Sequence, residues 1–239
     1  VVDHKQVYQS EGEKYQLLID REDYLGNLLP ALQNLIRLEG LDMVDLGTGT
    51  GRLASILGPF TRRIFAFDRS DHMLGVAISQ LGKLPMRQWL VAAADHKAIP
   101  LPRDSADMIL SGWSFCYLVV WEENDWKASL HEGLKEIKRV LRKEGSVVII
   151  ETLGTGNREP QPPDKLKPYF SYLEEQGFQS SWIRTDYQFR NLDEAYDLTA
   201  FFFGEEMLEN ILLEPEPILP ECTGIWSLPA KDLLNGVDL

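Results

Sequence analysis

Asp45-Leu46-Gly47-Thr48-Gly49-Thr50-Gly51 sets a carboxylate and three alternate glycines at the end of an apolar run entered at Val44. Glycines at that spacing remove every Cβ that would hold a ligand off the backbone, and they permit the φ > 0 turn such a loop requires. Arg52-Leu53-Ala54-Ser55-Ile56-Leu57 reads as a helix opening straight from the loop, its free N–H groups pointing at whatever lies above the glycines. That is the chemistry of a nucleotide-like ligand. A dinucleotide loop has the spacing G-x-G-x-x-G, and its third glycine would fall at Arg52, a bulky residue where helix must pack on strand, which counts against a nicotinamide cofactor. A second carboxylate, Asp68, ends the run Arg63-Ile64-Phe65-Ala66-Phe67 at about the twenty-residue offset where α/β folds hold a ribose. A carboxylate accepts charge-assisted bonds from two neighbouring hydroxyls. The competing reading is that Asp68 caps a helix starting near Ser70 and Asp71.

The G-x-G-x-G loop behind an acidic residue resembles the first motif of the class I S-adenosylmethionine (SAM)-dependent methyltransferases. The resemblance implies that Gly47, Thr48, Gly49 and Gly51 lie under the methionine part of SAM and that Asp45 organises the site around its amino group. It puts Asp68 on the ribose, with Arg69 and Met73 beside it. Ala94-Asp95-His96, followed by Leu101-Pro102, resembles the family's A-D-x-x-x-L-P segment, whose acid bonds the adenine amino group; Asp95 carries over to that role and His96 flanks the ring. Asp107 resembles the acid of the F-D-x-[IV] signature, in a strand that delivers Ser111, Gly112 and Trp113 to the cleft. Residues 134–152 resemble the L-x-E-x-x-R-V-L-[KR]-x-G-G-x-[LIV] segment, with one glycine in place of two. The motifs run in order from about residue 41 to 152, and the likeness is to the type 11-like, small-molecule branch.

Elements that would position these residues follow from periodicity. Trp126, Leu130, Leu134, Ile137 and Leu141 recur at helical steps, with Glu122, Glu123 and Asp125 at the start, Arg142-Lys143 at the end and Gly145 as the stop. Ser146-Val147-Val148-Ile149-Ile150-Glu151 is a continuous apolar run, as in a parallel strand covered on both faces. Residues 15–36 form an amphipathic helical stretch that Pro30 must kink or restart. Such an amino-terminal helix closes over SAM in related folds, which makes Tyr8 and Tyr15 candidate covers for the sulfonium or the acceptor; ordinary packing on the domain is the alternative. Residues 157–168 read as a loop and Gly154-Thr155-Gly156 as a flexible turn. Strands are expected at 181–189 and 222–228 around a helical insert at 193–213. There Phe201-Phe202-Phe203 is most simply core, with Phe202 a candidate wall of the acceptor pocket beside Trp113 and Tyr117. The fold implied is α/β: a Rossmann-like, doubly wound, seven-stranded, mostly parallel sheet with an antiparallel last strand and helices on both faces. One methyltransferase domain is expected over 1–239, with a lid at 1–38, a SAM-binding core at 41–152 and a substrate-side, closing-hairpin region at 153–239.

A chain of 239 residues, 44% hydrophobic, can bury a core of that size. Apolar runs fall short of a bilayer span and the first residues, beginning at Val1, lack a charged-then-apolar signal, so a cytoplasmic protein is expected. Cys116 and Cys222 are distant and without metal-ligand company, which argues against a disulfide framework and a metal site. The formal charge of −13 with no basic stripe disfavours nucleic acid. Ser111-Gly112-Trp113-Ser114 stands where amino-purine methyltransferases resemble one another in Asn-Pro-Pro-Tyr, and the Pro-Cys pair of C5-cytosine methylation is absent. His4, His72, His96 and His131 offer no convincing base; His72 and His131 read as exposed, and no catalytic residue is assigned. The function expected is transfer of the SAM methyl to a small-molecule acceptor, on O, N or C, by in-line displacement carried mainly by proximity. The alternatives are a non-catalytic SAM-binding partner module and a nicotinamide-dependent oxidoreductase. The acceptor and the oligomeric state are left open.

Overall fold

The computed structural model describes residues 2–85, 88–121, 125–213 and 216–234. Glu122 and Glu123, two of the acids expected at a helix start, lie outside them. Two short helices, α1 (His4–Ser10) and α2 (Gly12–Ile19), precede α3 (Leu28–Leu35). Pro30 falls in the first turn of α3, where its missing N–H would have had no helical partner, so it restarts the helix and does not kink it. The β/α alternation then runs β1 (Asp42–Leu46), α4 (Arg52–Leu57), β2 (Arg63–Asp68), α5 (Asp71–Leu81), β3 (Trp89–Ala93) and β4 (Ala106–Gly112). The short α6 (Tyr117–Val120) and the long α7 (Trp126–Val140) lead into β5 (Leu141–Thr155). After α8 (Lys167–Glu175) come β6 (Gln179–Arg184), β7 (Tyr187–Gln188), α9 (Leu192–Phe203), β8 (Ile218–Leu219) and β9 (Glu221–Pro229).

Seven strands form one sheet in the order β3-β2-β1-β4-β5-β9-β6. Only β9 is antiparallel to its neighbours, threaded between β5 and β6 as the family resemblance implies. β1 is buried along its whole length, and alternate residues feed two cores. Val44 and Leu46 join the α7/α8 side with Leu134, Ile137, Tyr169 and Trp226. Met43 joins the α3/α4 side with Leu32, Leu57, Met108 and Ile150. Helices thus cover both faces, as a parallel sheet requires.

Several boundaries depart from the sequence reading. The helix over Leu130 and Leu134 ends at Val140, not at Gly145, and Leu141–Gly145 already belong to β5, with Leu141 paired to Ala106. Arg142 is not a helix-end cation: it bridges Asp42 at 3.0 Å and Asp107 at 2.7 Å, while Arg62 and Arg63 also hold the Asp42 carboxylate. This charged cluster staples the amino-terminal edges of β1, β4 and β5. Gly154 and Thr155 are strand, not turn, and the Cβ that Gly154 lacks would sit 2.8 Å from the Gln161 carbonyl oxygen. Residues 181–189 are two strands, because the chain leaves the sheet after Arg184 and β7 pairs with β8 in a separate ribbon. Helix α8 begins at Lys167-Pro168, inside what reads as loop, Pro168 being at home in a first turn.

A satellite core joins Leu18 of α2 to Tyr187, Phe189, Leu198 and Leu219, so that α1, α2 and α9 form a roof over the carboxyl ends of the strands. The roof is pinned by His4 Nε2 on the Phe202 carbonyl at 2.9 Å, by Lys14 with Asp197 at 2.8 Å and by Arg21 with Glu194 at 3.0 Å. Among the described residues no helix is long and apolar enough to cross a membrane.

Candidate active site

A cavity of about 680 Å³ lies beneath this roof, at the point where the strand order reverses between β1 and β4. Open α/β sheets bind ligands at such a switch point, and the volume suits a small-molecule site.

The glycine loop forms its floor. Gly47, Gly49 and Gly51 all have positive φ, at 79°, 54° and 85°, yet the three lack a Cβ for different reasons. A Cβ on Gly47 would strike Ser114 Oγ at 1.8 Å, and one on Gly51 would press on Ala77 of α5 at 3.2 Å. Only Gly49 faces open space, with nothing within 4 Å, so packing bars a Cβ at two of the glycines and backbone conformation alone disfavours one at the third. The loop is tied from both sides. Asp45 accepts Thr48 Oγ1 at 2.7 Å and the Ala54 N–H at 3.1 Å, and burial lifts its carboxyl to about 6 against those bonds. Asp68 accepts the Gly49 N–H at 2.8 Å and the Ser70 N–H at 2.9 Å; burial raises its carboxyl as well. The N-cap of α5 is Ser70, whose hydroxyl accepts the Met73 N–H, so the cap does not use Asp68.

The cavity is lined by Asp45, Gly47, Thr48, Gly49, Asp68, Arg69, Met73, His96 and Gly112, and on the roof side by Tyr8, Tyr15, Trp113, Tyr117 and Phe202. Four further residues read from the sequence are not in its wall. Gly51 serves the α4–α5 contact, and Ala94 donates its N–H to the Asp68 carbonyl, bracing β2. Ser111 is fully buried with its hydroxyl unpartnered. The Asp95 carboxylate accepts the Lys97 N–H and sits 3.5 Å from Arg69, one step outside the lining. His96 is buried against Phe115 with Nε2 on Ser114 Oγ at 2.9 Å; burial brings it down to about 4, so it is neutral at physiological pH. His72 accepts the Gly12 N–H and His131 is 5% exposed, so neither is the free surface residue its position suggests. Trp113 holds φ = 48°, a costly conformation for a bulky side chain, with its N–H on the Ile150 carbonyl and Arg52 stacked over its ring at 5.0 Å.

Sequence reasoning missed a wall of buried titratable groups. Arg52 pairs with Glu22 inside the cavity and leaves Nη2 without a partner. Glu151 ends the apolar run of β5, and Glu221 opens β9. Burial lifts Glu151 to about 7 and Glu221 to about 8. The only sequence signal was acids bounding apolar strands, which surface strand ends also show. In the native state both hold protons that the unfolded chain, with carboxyls near 4.5, has released. Their contribution to stability is therefore present at low pH and lost as pH rises through about 8. The melting temperature is expected to fall from about pH 5 to about pH 8, most steeply below pH 7, and Glu221→Gln, permanently neutral, to flatten that slope and melt higher at pH 8 by roughly 3 °C. Thermal melts across the window check this.

A seven-stranded sheet with one antiparallel strand inserted next to the last, and a glycine-floored cavity at its switch point, defines the Rossmann-like methyltransferase class. The core of the chain matches that class: residues 44–149 fit the type 11 family model described as a methyltransferase domain. It is 31% identical over 123 residues to a demethylmenaquinone methyltransferase of Lactococcus lactis, covering 48% of this chain and 43% of that protein. It is 26% identical over 159 residues to a ubiquinone/menaquinone biosynthesis C-methyltransferase of Geotalea uraniireducens, covering 59% and 64%. The chain spans about half the length of the first curated relatives it matches. A SAM-dependent methyltransferase from Aquifex aeolicus shares the fold with a TM-score of 0.54 at 18% identity, covering 95% of this chain and 94% of that one. SAM is the cofactor of the family.

Proposed function

We propose that the protein transfers a methyl group from SAM to a small-molecule acceptor held under the roof. The observation that carries this reading is the junction of Asp68 with the Gly49 N–H at 2.8 Å, both facing one cavity whose far wall is aromatic. In this reading Asp68 takes the ribose hydroxyls, Gly49 lets the methionine end lie on the main chain, and His96 flanks the adenine. Asp95 reaches the adenine amino group from the rim with Arg69 as its neighbour. The unpartnered Arg52 Nη2, buried beside the loop, suits the methionine carboxylate. SAM supplies a methyl on a sulfonium that leaves readily, so the chain's own task is to align and enclose. Tyr8 and Tyr117, joined hydroxyl to hydroxyl at 2.6 Å, form the ceiling that shuts out water.

A small acceptor fits the bounded volume, and the net charge of −13 sets nucleic acid aside as the partner. The quinone-pathway names among the relatives support a metabolite acceptor. We place the whole chain in one domain, lid included, and in the cytoplasm. Incubation of the protein with methyl-labelled SAM and a metabolite extract, followed by mass spectrometry, tests the reading. A labelled product together with S-adenosylhomocysteine is the expected result. SAM binding with no labelled product would favour the partner-module alternative, and no binding of either nucleoside would end both.

A further inference from the structure

Glu151 is a strand-end acid that cofactor recognition does not employ. It is wholly buried, and it lines the cavity together with Cys116, Tyr117 and Leu118. Its side chain shares the α7/α8 face of the sheet with Val147 and Ile149, at alternate positions of β5. Glu221 bonds the neighbouring Thr152 on the opposite face, so the two acids do not share a ligand.

One oxygen of Glu151 is fully engaged: Oε1 accepts the Cys116 N–H at 2.8 Å and the Tyr169 hydroxyl at 3.2 Å. The other, Oε2, is buried with no partner among the described residues. Tyr169 belongs to the core under α8 and not to the lining of the cavity, so its bond draws Oε1 toward the interior and leaves Oε2 as the atom with capacity to spare. A buried carboxyl oxygen without a donor is costly, and a ligand's O–H removes that cost.

The groups around it are neutral. Burial pushes the Cys116 thiol and the Tyr117 and Tyr169 hydroxyls above their usual ranges, and a charge on Glu151 pushes each further. Across the ladder β9 sets only Gly224 opposite. With burial holding its carboxyl up at about 7, Glu151 keeps its proton below that pH and is a carboxylate above it. Such a group is matched to taking a proton at physiological pH. An aliphatic alcohol holds its proton too strongly for a base of this strength, whereas a phenol or enol, near about 10, is within reach. An ammonium would first have to shed its water at a cost of several kcal/mol.

We infer that Glu151 is the catalytic residue of this site, its free Oε2 accepting the O–H of a phenol- or enol-type acceptor and taking that proton as the methyl is transferred. The inference rests on the methyltransferase reading above and supplies its acceptor class and its base. As the O–H bond breaks, the pair left on oxygen forms the bond to the methyl carbon, and the carbon–sulfur pair withdraws onto sulfur. The products are a methyl ether, S-adenosylhomocysteine and protonated Glu151, which returns its proton to solvent.

The test gives the protein SAM with an isotope-labelled methyl and a protein-free metabolite extract, locates the label by NMR, and follows its initial rate of transfer from about pH 5.5 to about pH 9. The label is expected in a methyl ether, with a rate that climbs to a plateau through an inflection near about 7. Glu151→Gln is expected to lose about 100-fold in rate together with the inflection, while calorimetry finds its S-adenosylhomocysteine affinity unchanged. Tyr169→Phe removes a bond that favours the charged carboxylate, so its inflection should move to higher pH. Label on nitrogen or carbon overturns the inference, as does a Glu151→Gln rate within threefold of the unaltered protein. Should Glu151→Gln fail to fold, the other two profiles decide: a flat profile in the unaltered protein, or an inflection that Tyr169→Phe leaves in place, overturns the assignment. Labelled product formed with a flat profile costs only this inference, whereas protein that forms no labelled product, or binds neither SAM nor S-adenosylhomocysteine, loses the methyltransferase reading beneath it.

Discussion

Asp68→Ala is expected to weaken SAM and S-adenosylhomocysteine about 100-fold. The carboxylate is set to accept two ribose hydroxyls, and charge-assisted bonds of that kind contribute about 1.5 kcal/mol each, together roughly two powers of ten. The substitution also frees the Gly49 and Ser70 N–H groups that Asp68 now holds at 2.8 and 2.9 Å, so the glycine loop loses its tie to β2. Titration calorimetry measures the affinity, and circular dichroism confirms that the variant folds. Asp68→Glu, which keeps the charge but moves it outward, should recover part of the loss. An alanine variant that binds within threefold of the unaltered protein would remove Asp68 from the cofactor site.

Gly47→Ala should unfold more readily than any other single-methyl change in the loop. The added carbon would lie 1.8 Å from Ser114 Oγ and 2.4 Å from its Cβ, in a backbone already at φ = 79°. Relief would require moving Ser114, which carries the bond to His96 and follows directly on the strained Trp113. A clash of that depth in a packed turn costs at least about 3 kcal/mol. Gly49→Ala is the contrast: its carbon meets nothing, so only the left-handed conformation is penalised, by about 1 kcal/mol. Urea denaturation should therefore separate the two variants by about 2 kcal/mol or more, while calorimetry finds that Gly49→Ala, though stable, binds S-adenosylhomocysteine poorly. Equal stability of the two would contradict the Ser114 contact.

The parallel half of the molecule was legible because each of its strands is an apolar run ending in a signal: glycines after Leu46, a carboxylate at Asp68, small residues after Leu110. What failed were positions whose meaning depends on distant partners. Arg142 reads locally as a helix-end cation, but its guanidinium is spent on Asp42 and Asp107, and the chain can turn into β5 because that cluster holds it there. Pro168 reads as loop when its neighbours are Pro-rich, although the same ring suits a helix's first turn. Arg52 stood out for its size and not for its charge, since its partner Glu22 lies 30 residues earlier in another helix–turn region. Glu151 and Glu221 are ordinary strand-end acids until β9 inserts beside β5 and the roof closes over both.

The bond from His4 to the Phe202 carbonyl spans 198 positions of sequence. A ribosome releases the sheet-forming segments through β5 long before α9, and the first helices must wait, half-docked on α5 through Ser70 and the Tyr8 carbonyl, for the stretch that completes their footing. The timing of translation therefore sets the timing of enclosure: a nascent chain can own its glycine floor while the chamber above it is still open to water.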